Sequence, residues 1–564
     1  MKRRNFLKLA GLSTTALFVN RLYAAAGGPV PVIHFPSKLA LLKNGSWLPL
    51  AGSGGGSHWT LDDLTVTLQR TGDGIRVDLH APSTPLEKFR LSWPWSFPAT
   101  AMTLGDAWER SYGDLSWDNV TAARKAPWYL LVQEGRQTHG FGVKTGAAAF
   151  CYWQATTDSL DLVLDTHSGG MGVLLGDRTL EAAEIVTIQS TPGETPFTTD
   201  HRFCKRMCPH PRLPQKPVYG INDWYFAYGN NSRELILTTT KMMSELVPAT
   251  DNRPFSVIDD GWETEDFMKP NAKFGDMAAV AAEIKKLGMR PGLWTRPLLA
   301  NSSNKPVQLI QRPGTDGKER YLDPTIPENL HRVGETIALY RQWGFEMVKH
   351  DYSTYDALGR WGSGMQDDLT VGGWHFNDRS RTNAEIFLTL YRTIREAAGT
   401  SHTSAIGAPA GHTASRASQA PAPMYIIGCN TVSHLSAGLF ELNRIGDDTS
   451  GREWPRTVRM GVNTLGFRLP QHNAFYAVDG DCVGLTTQIP WEKNKQWMQL
   501  LAGSGAPLFI SAQPEATGPE QRAFIKKCFA QAAGPQPLGQ PLDWMTNPHP
   551  AEWLLDGEKV RFDW

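Results

Sequence analysis

A chain of 564 residues is too long for one ordinary hydrophobic core and predicts two or three domains. Its 56 basic and 56 acidic side chains cancel, which excludes a bulk electrostatic pull towards nucleic acid or an anionic membrane surface. Six scattered cysteines exclude a disulfide framework, and Cys204 and Cys208, spaced C-x3-C without a second pair, argue against a zinc site. That pair forms either a local disulfide or two free thiols.

The first residues, Lys2, Arg3 and Arg4 followed by Phe6, Leu7 and Lys8, precede a short apolar stretch from Leu9 to Val19 and then Ala24-Ala25-Ala26. A basic start, a short apolar segment and small residues at a cleavage site make a secretory signal over 1–26. The Arg3-Arg4 pair resembles a twin-arginine address for bacterial export of folded proteins. The apolar stretch is short for a bilayer span, so no stable membrane anchoring is expected.

From 27 to about 212 the pattern is of short strands broken by Gly, Pro and Asn. Leu64–Leu68 and Ile75–Leu79 alternate, and Trp128–Val132 reads as a more buried strand, which together predict an N-terminal β-sandwich. The Pro-rich run Pro209–Pro217 reads as a linker. The rhythm then changes. Predicted strands Val218–Ile221, Phe255–Ile258, Arg290–Trp294, Phe345–Lys349 and Tyr425–Gly428 alternate with predicted helices Ser232–Leu246, Asp276–Leu287, Leu330–Trp343 and Asn383–Ala398. That alternation over 213–513, with no glycine-rich phosphate loop after the first strand, predicts an α/β fold of the (β/α)8-barrel kind. Ser401–Pro423, rich in Ala, Gly, Ser and Pro, reads as an inserted loop. Residues 514–564 hold one helix, Pro519–Ala532, and two strands, a small C-terminal β region.

In such a barrel the chemistry sits where strands end. Asp223 and Trp224 follow the first strand, Asp259 and Asp260 the second, and Trp294 and Arg296 end the third. Lys349, His350 and Asp351 close the fourth, Cys429 and Asn430 the fifth, and Arg444 to Asp448 and Asp479 to Asp481 mark later ends. Taken singly, Asp259-Asp260 could cap a helix, Lys349 and Asp351 could form a structural ion pair, Asp447-Asp448 could be a turn, and the tryptophans could be core. Their recurrence on one rim is an inventory for sugar chemistry: two carboxyls, further acids for hydroxyls, and indoles for ring faces.

The ordered motifs Asp223-Trp224-Tyr225, Asp259-Asp260-Gly261-Trp262, Pro291-Gly292-Leu293-Trp294, Lys349-His350-Asp351, Gly428-Cys429 and Arg444-Ile445-Gly446-Asp447-Asp448, with Gly503–Ala512 near the barrel's end, resemble the α-galactosidase clan, particularly glycoside hydrolase family 36. The resemblance covers roughly residues 215–515. It implies a retaining exo-acting α-galactosidase with Asp351 as nucleophile and Asp448 as acid/base. Asp259 and Asp260 would hold hydroxyls at the far end of the sugar ring, and Lys349 and Arg444 would contact the sugar and the nucleophile's surroundings. Trp224 and Trp294 would wall the pocket, Cys429 would lie near the 2-position, and Asp481 matches a late acid of related members. The substrate would be an oligosaccharide or other glycoside, with no cofactor or metal. His350 and Asn430 depart from the usual pattern and leave the sugar open. A β-L-arabinopyranosidase, an α-N-acetylgalactosaminidase, a galactosyltransferase resembling raffinose synthase, and a non-catalytic sugar-binding protein are the competing readings.

Overall fold

The computed structural model describes residues 33–564 except 73, 315–318, 366–367 and 400–422. The signal expected over 1–26 and all but the end of the Ser401–Pro423 insertion lie outside the described residues.

The N-terminal part forms two antiparallel sheets packed face to face, as the alternation predicts. Leu64, Val66 and Leu68 point inward from one strand while Thr65 and Thr67 stay partly exposed. Trp153 of one sheet joins the two layers, meeting Trp93 of its own sheet at 6.1 Å and Phe141 of the facing sheet at 6.0 Å.

One element departs from the all-β expectation. Residues Pro196–Met207 form an α-helix, capped by Thr195, whose hydroxyl accepts from the Thr198 backbone N–H, with Pro196 in the first turn. Phe197, Phe203, Cys204 and Met207 make its buried face. The strand Gln137–Val143 beneath carries Gly140 and Gly142 on that side. A Cβ at Gly140 would come within 2.8 Å of the Phe203 ring, and one at Gly142 within 2.7 Å of Met207 Sδ, so glycine permits the close approach. The helix also carries Cys204 and, at its C-cap, Cys208. Both are buried free thiols, which settles the alternative left open above.

Eight parallel strands close the barrel in sequence order: β1 (Tyr219–Asn222), β2 (Phe255–Ile258), β3 (Arg290–Thr295), β4 (Met347–His350), β5 (Tyr425–Gly428), β6 (Leu442–Arg444), β7 and β8 (Leu508–Ala512). Strand β7 is split. Its first half, Ala477–Asp479, pairs with β6 and its second, Cys482–Leu485, pairs with β8. The bend falls at Gly480–Asp481, where Asp481 takes φ 72°. Strand β8 pairs with β1, completing the ring. Phe255 and Val257 of β2, Met347 of β4, Ile427 of β5, Leu442 of β6 and Phe509 of β8 belong to one separate apolar cluster, the barrel's filled interior. Three outer helices start where the sequence signals them: Ser232 and Asp276 cap Arg233–Ser244 and Met277–Lys286, and Thr382 with Glu385 makes a capping box for Asn383–Ala397. The fourth, expected from Leu330, begins a turn earlier, at Pro327 in Pro327–Gln342. After the barrel, helix Pro519–Ala532 and a three-stranded antiparallel sheet, Gln540–Pro541, Glu552–Leu555 and Glu558–Arg561, complete the chain.

Sandwich and barrel are joined through the loop after the sandwich strand Met102–Gly105. Ser111 pairs in parallel with Gly446 just beyond β6, its N–H donating to the Ile445 carbonyl at 2.8 Å. Arg468, from a barrel helix, reaches Asp106 at 2.8 Å with both side chains buried, and donates to the carbonyls of Glu109 and Ile445 at 2.8 Å each. Trp128 stacks on His434 of the β5 side at 4.7 Å. Removing one partner of a buried ion pair strands the other charge, which costs about 3–5 kcal/mol. Arg468→Ala should therefore lower the Tm clearly in calorimetry, whereas Asp251→Ala, which breaks the exposed Lys216–Asp251 pair, should leave it unchanged.

Candidate active site

Every acid singled out in the sequence lies at or just beyond the carboxyl end of a barrel strand: Asp259 and Asp260 after β2, Asp351 after β4, Asp448 after β6, and Asp481 at the bend of β7. Asp351 is buried and held by three donors. Trp294 Nε1 donates to its Oδ2 at 3.0 Å, and the backbone N–H groups of Tyr352 and Asn430 donate to its Oδ1 at 2.7 and 3.1 Å. Burial works against its charge, but Lys349, Arg110 and these donors outweigh it and hold the carboxyl below its usual range. Tyr352 sits at φ 64°, a left-handed conformation that costs a non-glycine residue of order 1 kcal/mol or more. Its position directly after Asp351 turns its N–H back onto that carboxylate.

Asp448 is partly open, with 37% of its side chain exposed. Arg444 Nη1 approaches its Oδ1 at 3.3 Å and Arg110 Nη1 at 3.7 Å. Arg444 is otherwise engaged behind the pocket, with Asp479 at 2.9 Å and Asp481 at 2.7 Å. Asp481 is buried, accepting from the Tyr225 hydroxyl and from the Thr449 N–H at 2.7 Å, so its carboxyl is spent on protein donors. It braces Arg444. Arg110 acts on both Asp351 and Asp448, and the Tyr352 hydroxyl lies within the field of both, so the two carboxyls belong to the same part of the rim.

On the β2 side, Lys349 Nζ pairs with Asp259 Oδ2 at 2.7 Å, the same oxygen that accepts from Asn222 Nδ2 at 2.6 Å. Lys349 thus acts on Asp351 from a position anchored on Asp259. Asp223 Oδ1 accepts the Asp259 N–H at 2.7 Å, and burial, with Asp259 beside it, pushes Asp223 up to about 7. Asp260 is also pushed up, by burial first. Its neighbour Glu263 rises to about 8, through burial and through Asp260. Trp224 is half-buried beside Tyr228, and Trp262 lies wholly in the core, its Nε1 donating to the Trp294 carbonyl at 3.0 Å.

Cys429 is buried with Arg110 Nη1 3.9 Å from its sulfur. Burial raises its thiol, so it is present as the neutral group. The two departures have different fates. His350 packs between Tyr391 and Phe440, away from the pocket, and burial lowers it to about 3, leaving a neutral ring. Asn430 contacts Asp351 directly.

Sequence reasoning named Arg444 as the second cation near the nucleophile. Arg110, from the sandwich loop, also bears on Asp351 while pairing with Asp447 at 2.9 Å, and Arg444 pairs with Asp448, Asp479 and Asp481. Arg110 was missed because its loop lies some hundred positions before the barrel begins. The run Trp108-Glu109-Arg110-Ser111-Tyr112, charged and aromatic amid alternating strands, was the available signal. The arrangement offers one ionised carboxylate, one accessible acid, and an excess of carboxyls over cations. That excess accepts hydroxyl hydrogens well and repels anionic ligands.

No family model matches the sequence, and no curated protein does. The fold, however, is that of the family 36 α-galactosidases, a β-sandwich followed by a (β/α)8 barrel. An α-galactosidase from Thermus thermophilus, solved with p-nitrophenyl α-D-galactopyranoside, superposes with a TM-score of 0.59 at 17% identity, covering 93% of this chain and 99% of that one. The family 36 α-galactosidase AgaA of Geobacillus stearothermophilus, solved with 1-deoxygalactonojirimycin, superposes with a TM-score of 0.57 at 12% identity, over 89% of this chain and 76% of that one.

The donor set predicts how a substitution at Trp294 acts. A hydrogen bond to a charged group contributes roughly 1.5 kcal/mol, about one pH unit. Trp294→Phe removes a stabiliser of ionised Asp351, so the acidic limb of kcat/KM should move up by about one unit. A limb that stays put would show that Asp351 is not the group titrating there.

Proposed function

We propose that this chain is an exported, retaining, exo-acting α-galactosidase that cleaves terminal α-D-galactosides. The observation that carries the reading is Asp351. It is a carboxylate at the end of β4 held by three hydrogen-bond donors, on the same rim as the partly exposed Asp448 beyond β6. The fold supports it, as does the acceptor-rich rim, whose excess of carboxyls suits a neutral, hydroxyl-bearing ligand. The Thermus thermophilus enzyme, solved also with stachyose, points to an oligosaccharide as substrate.

In this mechanism Asp351 attacks the anomeric carbon while protonated Asp448 delivers its proton to the departing glycosidic oxygen. The glycosidic bond breaks as an ester to Asp351 forms. Asp448, now ionised, takes a proton from water, the water oxygen attacks the anomeric carbon, and Asp351 leaves with the sugar's α-configuration restored. Trp294, Tyr352 and Asn430 hold the nucleophile through their N–H groups. Asp259 and the Asp260–Glu263 pair accept from ring hydroxyls, Trp224 and Trp294 wall the ring, and Cys429 lies by the 2-position. Lys349 and Arg444 keep their charges beside the sugar while pairing with the acids behind it.

Purified protein should hydrolyse p-nitrophenyl α-D-galactopyranoside, with the α-anomer appearing first by proton NMR. Asp351→Ala should lower kcat by several orders of magnitude. Azide should restore turnover and yield the β-galactosyl azide. Near-normal activity in that variant, or first release of the β-anomer, would refute the mechanism. Preference for a β-L-arabinopyranoside or an N-acetylgalactosaminide would move the activity to a relative with another sugar. Transfer to an added sugar in place of hydrolysis would make it a galactosyltransferase. For export, replacing Arg3 and Arg4 by Lys should leave the uncleaved precursor in the cytoplasm of a host with a twin-arginine translocase. Continued export would make the signal one of the general secretory type.

A further inference from the structure

Glu109 is a fully buried carboxyl that the proposed chemistry does not use. It lies on the sandwich loop that enters the barrel's rim, and its two oxygens face different barrel loops. Oε1 accepts from the Tyr112 hydroxyl at 2.6 Å and from the Gly362 N–H, in the segment after β4, at 3.0 Å. Oε2 accepts from Asn430 Nδ2, in the segment after β5. The Glu109 carbonyl is fixed as well, receiving Arg468 at 2.8 Å and the Ser433 hydroxyl at 3.0 Å.

Asn430 is where this anchor meets the nucleophile. Its backbone N–H donates to Asp351 Oδ1. Its carbonyl receives the Thr354 N–H and hydroxyl, each at 3.2 Å, and its Oδ1 receives the Tyr355 N–H at 3.2 Å. The asparagine therefore ties Asp351 to the turn that follows it, and Glu109 fixes the asparagine's side chain from the other domain. Without that acceptor a buried amide would be left unsatisfied and would rotate to find another partner.

Resting on the assignment of Asp351 as nucleophile, we propose that Glu109 is a positioning residue supplied by the sandwich domain, which aligns Asp351 by holding Asn430. A carboxylate accepting from three donors works best ionised, because a proton on either oxygen displaces a donor. The groups bearing on it are Arg110 and Tyr112 on its own loop, Asp447 after β6, Tyr391 on helix Asn383–Ala397, and Arg468 at its carbonyl. Burial dominates and pushes Glu109 up to about 7. Alignment is then complete above neutrality and falls away as pH drops through that value.

The test is the first-turnover rate of nitrophenolate release from p-nitrophenyl α-D-galactopyranoside, measured between pH 5 and 9 on full-length protein, with Tm as a check of folding. Glu109→Gln keeps the volume but sets an amide donor against the donors around it. The rate should fall roughly 10- to 100-fold, the scale of a small misplacement of a reacting group. KM should hold within about twofold, since the residue does not touch substrate. The inflection near neutrality should vanish. Asn430→Ala should show the same loss, and the double variant should be no slower than either single one, because the two act through one link. An unchanged rate, a retained inflection, or losses that multiply would each overturn the proposal. If Glu109→Gln fails to fold, Asn430→Ala alone decides: a wild-type rate there overturns the link, and the expected loss with an unchanged Tm supports it. Asp351→Ala run alongside separates the two levels. Activity in that variant removes the nucleophile assignment itself, whereas an inactive Asp351→Ala beside a normal Glu109→Gln removes only the positioning role.

Discussion

The active rim of this barrel holds more carboxyls than cations, and the rest of the site follows from how that excess is carried. Asp259, Asp351, Asp479 and Asp481 are all buried, where an uncompensated charge costs several kcal/mol or more. Three cations meet them, each from a different direction: Lys349 from β4, Arg444 from β6, and Arg110 from the sandwich. Carboxyls that no cation reaches closely enough respond by holding protons, as Asp223 and the Asp260–Glu263 pair do. Charge and neutrality are thereby divided among chemically identical groups, leaving one ionised carboxylate at the end of β4.

Because one of the three cations comes from outside the barrel, the sandwich is part of the site's electrostatics as well as its scaffold. Arg110 could act on Asp351 only if its loop were held rigidly. The Arg468–Asp106 pair, the Ser111–Gly446 bridge and the Trp128–His434 stack hold it. The same loop carries Glu109 to Asn430, so domain docking and nucleophile alignment share their contacts.

Much of this architecture was legible in the sequence because its signals are local. The period of apolar residues separated strand from helix, Ser232 and Asp276 marked helix starts, and Phe255–Ile258 and Tyr425–Gly428 matched the observed strands residue for residue. The acids after β2 and β4 were found because strand ends can be read from the same pattern, whereas β6 was not predicted as a strand and Asp448 was found through the motif Arg444–Asp448. Helix Pro196–Met207 was overlooked although Thr195-Pro196 announces it, since the surrounding strands set an all-β expectation. The glycines that receive it, Gly140 and Gly142, look like ordinary turn or bulge residues until the helix lies over them.

What the sequence by itself determined is the order of elements and the chemical type of each side chain on the rim, because helix caps, strand alternation and strand ends are properties of neighbouring residues. What only the tertiary structure decided is which of those side chains meet. It brought Arg110 from the sandwich to bear on Asp351, turned Asp481 into a brace, placed His350 in the core, and brought Glu109 to Asn430 across 321 positions. Those outcomes rest on distance and burial, and no spacing along the chain encodes either.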